Sequence, residues 1–145
     1  MKIIVDTREQ RPLWTVSKHV ERRKLIVGDY TTEALENKMH VERKSPMDLY
    51  GSIVQDHERF RKMLIKALDK NIEVVIFVEC TREVFVTKTF EGGHLLRAKG
   101  EVIGKIMNTI EERYKSKVVW CNDRNHMKTF MRQYFKERET NGTRL

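Results

Sequence analysis

Proline and cysteine are nearly missing from this chain, which has two of each in 145 residues. Pro12 and Pro46 mark no linker, and no Pro/Gly-rich, low-complexity or repeated tract divides the sequence. One domain with one sizeable core is therefore expected. Cys80 and Cys121 each end an apolar run, outside any CxxC pair or His/Cys cluster. That argues against a disulfide framework and a structural zinc site. It predicts reduced thiols in or near the core of an intracellular, not secreted, protein. No apolar run approaches the ~20 residues that a membrane-spanning helix needs, and the N-terminus lacks a signal-peptide pattern. The five histidines show no HxH or HExxH spacing.

What the chain has is charge. Charged residues make up 34% of it, apolar residues 39%, and the formal net charge is +8. This is a soluble globular composition. Basic residues are densest at 21–24 (ERRK), at 57–62 (HERFRK) and from Arg124 onward. A basic surface favours polyanions, of which nucleic acid is the common intracellular one. Charge alone leaves mere solubility or an acidic protein partner open.

The pattern alternates between strands and helices. Residues 2–6 (KIIVD) read as a short strand ending in an acid, 24–30 (KLIVGDY) as a second strand and 39–44 (MHVERK) as a third. The polar connection between the last two predicts an antiparallel hairpin. Ser45 followed by Pro46 is a helix start, and apolar residues at helical spacing carry that helix to about Asn71. Residues 73–80 (EVVIFVEC) lack alternation, as expected of a central strand covered on both faces. Residues 81–97 defy assignment. A helix over 98–115, a buried strand over 117–121 and a last amphipathic helix near 126–136 follow. The sum is a three-layer α/β domain over 1–138 with parallel strands in its later half, and a disordered tail over 139–145. The two late helices carry more large apolar residues than one face of a small sheet needs, so a homodimer through the C-terminal helices is expected.

The chemistry centres on Asp29, Glu42 and Lys44. Side chains alternate along a strand, so Glu42 and Lys44 share a face and Arg43 points away. Asp29, at the end of the neighbouring strand, can come alongside Glu42. Two such carboxylates are tolerable around a divalent cation, and oxygen-only ligands suit a hard ion such as Mg²⁺. Lys44 beside it could hold a water or stabilise phosphate charge, which describes metal-assisted hydrolysis. Taken alone, these features also fit an ordinary edge strand and a turn aspartate.

The surroundings narrow the choice. Residues 5–9 (VDTRE), Gly28-Asp29, then twelve residues, Glu42-Arg43-Lys44, three residues and Asp48 closely resemble the nuclease domain of the XPF family. That family cuts flaps and forks and belongs to the wider PD-(D/E)xK superfamily. The resemblance covers roughly residues 1–121 and implies a restriction-endonuclease-like fold, a central mixed sheet flanked by helices. By resemblance, Asp29 and Glu42 would ligate Mg²⁺ or Mn²⁺ with the backbone carbonyl of Arg43, and Asp6 would be a ligand or an outer-shell group. Lys44 would position the water, and Arg8 and Glu9 would support the site and the scissile phosphate. Ser45 would cap the helix start, and Asp48 would cap backbone N–H groups there or orient a site residue. Arg8, Arg59 and Lys62 would contact DNA, with a solvated surface arginine as the alternative for Arg59. Read from the residues themselves, Lys88, Arg97 and Lys99 would contact DNA from a mobile loop around Gly92-Gly93, with a plain connection as the alternative.

The sequence departs from the family after the last helix, where no helix-hairpin-helix pattern follows, and the segment between Ser52 and Arg59 is longer than the family's short acid-glycine link. It resembles compact, stand-alone members of viral or mobile-element type. The expected function is a metal-dependent endonuclease on branched, flap, fork or partly single-stranded DNA, with roles in repair or recombination. Nicking or end-degrading activity, a catalytically idle nucleic-acid-binding module, and a subunit whose protein partner supplies DNA grip remain alternatives. His40 is expected on the strand surface. Trp14 and Trp120 are expected in the core or an interface, with base stacking by Trp14 as the alternative.

Overall fold

A computed structural model describes residues 1–144, with side chains through 141. Six strands form one mixed sheet in the order β2-β1-β3-β4-β5-β6. They are β1 (Ile3–Val5), β2 (Val20–Arg22), β3 (Tyr30–Thr32), β4 (Met39–Lys44), β5 (Glu73–Val78) and β6 (Val118–Trp120). β3 runs antiparallel to both β1 and β4, whereas β1–β2, β4–β5 and β5–β6 are parallel. The hairpin expected between the acid-bearing strands is therefore present, but its first strand is shorter. Residues 24–28 lie outside the ladder, and Gly28 turns the chain into β3 with φ +76°, a left-handed conformation that glycine adopts freely.

Alternating residues of β5 explain its unbroken apolar run. Val74, Ile76 and Val78 pack under α1 (Pro46–Tyr50), α2 (His57–Asp69), α3 (Arg82–Thr87) and α4 (Gly100–Tyr114). Val75 and Phe77 face α5 (Arg124–Arg144), whose Met127, Met131 and Phe135 are fully buried. The two late helices thus cover opposite faces of the sheet. Most of the apolar surface that suggested a dimer is used inside the fold, and Val102 and Phe130 remain exposed.

Several expectations need correction. The single helix from Pro46 to Asn71 is broken: α1 ends in a π-turn over Gly51–Gln55, and Asp56 (φ −126°, ψ 42°) starts a new direction into α2. π-turns of this kind are frequent at functional sites. The strand β2 was not foreseen. Only Val20 of its three residues is buried, so an edge strand carries no periodic signal. His40 is not on the surface. Its ring is buried with Nδ1 2.7 Å from the Val27 carbonyl oxygen and Nε2 2.6 Å from that of Glu36. In the segment left unassigned, Thr81 caps α3 by accepting from the Val84 N–H.

The region expected as a tail is helical to Arg144, and the Thr32 hydroxyl donates to Glu139 at 2.7 Å. Leu145 lies outside the described residues. Both cysteines are free and buried, and burial pushes each thiol up to about 11. Among the described residues no helix is long and apolar enough to cross a membrane.

Candidate active site

Asp29, Glu42 and Lys44 come together in one cleft. Asp29 sits at the entrance to β3, where Gly28 makes the corner. A Cβ on Gly28 would lie 2.9 Å from the Val41 carbonyl oxygen. The Asp29 N–H donates to that same oxygen at 2.8 Å, and the Asp29 carbonyl accepts from the Asp6 N–H at 2.8 Å. β4 and the end of β1 therefore fix the Asp29 backbone. Its side chain is held by the Arg43 N–H, which donates to Oδ2 at 2.8 Å.

Glu42 lies on the same face, and its carboxyl group lines the same cleft as that of Asp29. Burial first, and the adjacent Glu42 charge second, push the Asp29 carboxyl up to about 9. A pair of acids so arranged holds a proton or awaits a cation. Lys44, two residues further along β4, is placed on that face by the pleat. Its ammonium stands 5.6 Å from the centre of the Phe60 ring.

The cleft these groups share with Asp6, Arg8 and Arg59 has a volume of about 300 Å³. Asp6 is buried and already well occupied. Oδ1 accepts from the Leu25 N–H at 2.7 Å, and Oδ2 accepts from the Arg8 N–H at 2.9 Å and from Arg8 Nε at 2.8 Å. Burial alone would raise the Asp6 carboxyl, but these donors hold it below the usual range. Asp6 thus fastens the Arg8 guanidinium, which also donates to the Leu25 carbonyl at 3.0 Å. The nearby Asp29 and Glu42 charges add to the pull on that cation. Among the described residues no three His, Cys, Asp or Glu side chains form a ready metal cage. The cleft offers the two oxygen donors of Asp29 and Glu42. Tyr30 faces Val41 across the β3–β4 ladder. By strand alternation Arg43 turns its backbone N–H and carbonyl to that same edge.

Other expected residues sit elsewhere. Glu9 is not in the cleft: its carboxylate receives Arg43 Nε at 2.7 Å and Nη2 at 2.8 Å. Burial would raise the Glu9 carboxyl, and the Arg43 guanidinium more than offsets this. Arg43 Nη1 donates to Glu79 at 2.8 Å, and Arg124 at the start of α5 reaches the same Glu79 oxygen at 3.3 Å. This ion network underlies the sheet face opposite the cleft. Ser45 Oγ caps α1 by accepting from the Asp48 N–H at 3.1 Å. Lys62, Arg97 and Lys99 are exposed, and Lys62 does not line the cleft. Lys88 is engaged within its own loop, donating to the Leu96 carbonyl at 3.1 Å. That loop is tightly built, since a Cβ on Gly93 would meet the Lys88 carbonyl oxygen at 2.5 Å. The sequence reading missed Asp56. The π-turn brings it into the cleft beside Ser52 and 3.9 Å from Arg59.

Comparison with solved structures follows this geometry. XPF from Aeropyrum pernix superposes with a TM-score of 0.71 at 19% identity, covering 94% of this chain. The fold is XPF-like. The same Aeropyrum pernix XPF in complex with DNA gives a TM-score of 0.73 at 18% identity over 97% of this chain. The present chain spans slightly less than two thirds of those chains, 64% and 66% of their lengths. No protein-family model matches the sequence, and no curated protein matches it. On the XPF-like sheet, the cleft lies where β3 and β4 present Asp29, Glu42 and Lys44 side by side.

Proposed function

We propose that this chain is a divalent-cation-dependent endonuclease that hydrolyses DNA phosphodiesters. The observation that carries the reading is the largely buried Asp29–Glu42 carboxyl pair, which lines a cleft together with the cations Arg8, Lys44 and Arg59. Burying two adjacent acids is costly unless a cation or proton compensates. A module that only binds nucleic acid gains nothing from such a pair against a polyanion. The donor set is all oxygen, which fits Mg²⁺ or Mn²⁺. Asp29, Glu42 and the Arg43 carbonyl would hold the ion, which when bound supplies Lewis acidity and a more acidic water. The Aeropyrum XPF solved with DNA supports DNA as the polymer.

The chain's own residues divide the remaining work. Lys44 orients the attacking water or stabilises charge gathering on the phosphate. Arg8, fixed by Asp6, neutralises the phosphate from the other side. Arg59 extends the phosphate track along α2. Asp6 acts through Arg8 and not as a direct ligand, because its oxygens already accept four hydrogen bonds. Flap, fork and single-strand-containing DNA are the proposed substrates, with repair or recombination as the setting. A homodimer would use the exposed Phe130 or Val102 surface.

The test is a panel of labelled flap, fork, bubble, junction and linear DNAs, incubated with and without Mg²⁺, with Asp29→Asn as the control. Cation-dependent cutting of branched forms by the parent alone is expected. Cutting in EDTA, or full cutting by Asp29→Asn, would overturn the reading.

A further inference from the structure

A basic groove lies on the sheet face away from the carboxyl pair, between the loop carrying Trp14 and the outer side of α5. It has a volume of about 380 Å³ and is lined by Trp14, Lys128, Thr129, Arg132, Gln133 and Lys136. No acid lines it. The three cations recur every four residues, so they form one stripe with steps of about 6 Å along the helix. That spacing is comparable to the separation of successive phosphates on an extended strand.

The pairing of the α5 cations sets this stripe apart. Arg124 and Arg138 are ion-paired to Glu79 and Glu73. Among the described residues Lys128, Arg132 and Lys136 form no ion pair, and all three are exposed. An unopposed row of cations repels itself and is relieved by a polyanion. Beyond Trp14 the groove continues into an adjoining hollow of about 430 Å³, which shares Trp14, Arg132 and Lys136. Its floor is apolar, from Met1, Ile3 and Val20. Trp14 is half-buried, packed edge-to-face with Tyr30 at 5.5 Å, so its position is fixed from behind.

We propose that this groove binds a single-stranded segment of nucleic acid, with phosphates on Lys128, Arg132 and Lys136 and a base against the Trp14 indole. A row of cations beside a fixed aromatic is the combination that sequence-tolerant single-strand binding uses. A duplex offers phosphates but no free base face. An acidic peptide offers charge but no flat ring for the apolar floor. The inference rests on the groove alone and does not require the cleft to cut DNA. If both hold, the groove gives the partner's form, a strand already separated from its complement.

The experiment uses a Trp120→Phe background, so that Trp14 is the only tryptophan, in buffer without divalent cation. Fluorescence is followed while a short oligothymidylate is added. Saturable quenching is expected, with affinity falling against salt at a log–log slope near −2, about −0.7 for each of three contacts. The combined Lys128→Gln, Arg132→Gln and Lys136→Gln variant changes exposed residues only and should bind at least ~10-fold more weakly. Duplex DNA of the same length should quench less. No quenching, quenching undiminished in the triple variant, or equal quenching by polyglutamate overturns the proposal. Because no cutting is measured, a protein that quenches normally yet cleaves nothing would refute the nuclease reading and leave the groove standing.

Discussion

The backbone N–H of Arg43 donates to the Asp29 carboxylate at 2.8 Å, while the Arg43 side chain departs through the sheet to Glu9 and Glu79. One residue therefore links the acid pair on one face to an ion network on the other. The residue between Glu42 and Lys44 acts as an anchor, and its identity matters as much as its register.

Arg43→Ala should lower stability by about 3–5 kcal/mol, the range for removing one partner of a buried ion pair. The Arg43 side chain is only 10% exposed, and its loss leaves Glu9 and Glu79 uncompensated. Urea unfolding measures this. Arg43→Lys should recover only part of the loss, because an ammonium cannot span both carboxylates with a planar fork.

Asp29→Asn and Glu42→Gln should each reduce cleavage by more than ~10³-fold, and Lys44→Ala by at least ~10², the scale of a lost charge-stabilising group. Folding, read by circular dichroism, should be retained in all three. Cleavage by the Lys44 variant within a few-fold of the parent would demote Lys44 to a surface residue.

Stability should fall with rising pH when no divalent cation is present. The Asp29 carboxyl is held at about 9 in the fold against 3.8 ordinarily. Below pH 3.8 both folded and unfolded chains carry the proton, and the group contributes no difference. Between those values the unfolded chain gains by releasing it, so stability declines until about pH 9. Asp29→Asn cannot ionise. It should match the parent at pH 4 and melt a few degrees higher at pH 8. Added Mg²⁺ should raise the parent's melting temperature and leave the variant's unchanged.

Gly28→Ala should destabilise by at least ~1–2 kcal/mol, the cost of a left-handed backbone for a residue with a Cβ. The new methyl would also meet the Val41 carbonyl oxygen at 2.9 Å. Because that corner aims Asp29, the variant should lose activity out of proportion to its folded fraction. Activity that simply tracks stability would show the corner to be structural only.

Binding at the cleft should depend on charge and little on sequence. Four to six phosphate contacts would give a log–log salt slope near −4 to −5 on duplex DNA. Arg59→Gln should lower the slope by about one. Strong preference for one sequence over a scrambled one of the same shape would contradict this.

Much of this arrangement was legible before any coordinates. β5 announced itself because burial on both faces removes alternation, and α4 because one face carries Ile103, Met107 and Ile110. Glu42 and Lys44 on one face followed from the pleat alone. What stayed hidden was set by tertiary contact. Asp56 enters the cleft through a π-turn that no local periodicity encodes. His40 is buried with its ring between the carbonyls of Val27 and Glu36, although its neighbours suggested a surface strand. Glu9 leaves the cleft because Arg43 draws it away, and an acid two residues beyond Thr7 gives no sign of which face it will take.

The sheet order also bears on how the protein folds. β3 and β4 are joined by residues 33–38, whereas β4 must wait for the whole segment 45–72 before β5 can lie beside it. Local pairing closes early and the parallel crossover late. Asp29 and Glu42 are thus brought face to face before the helical layer over them is complete. The partial screening by water at that stage eases their repulsion, which reaches its full strength as α2 docks. A mutation that neutralises the pair should therefore slow unfolding more than it speeds folding, since the penalty it relieves is incurred mainly after the rate-limiting step.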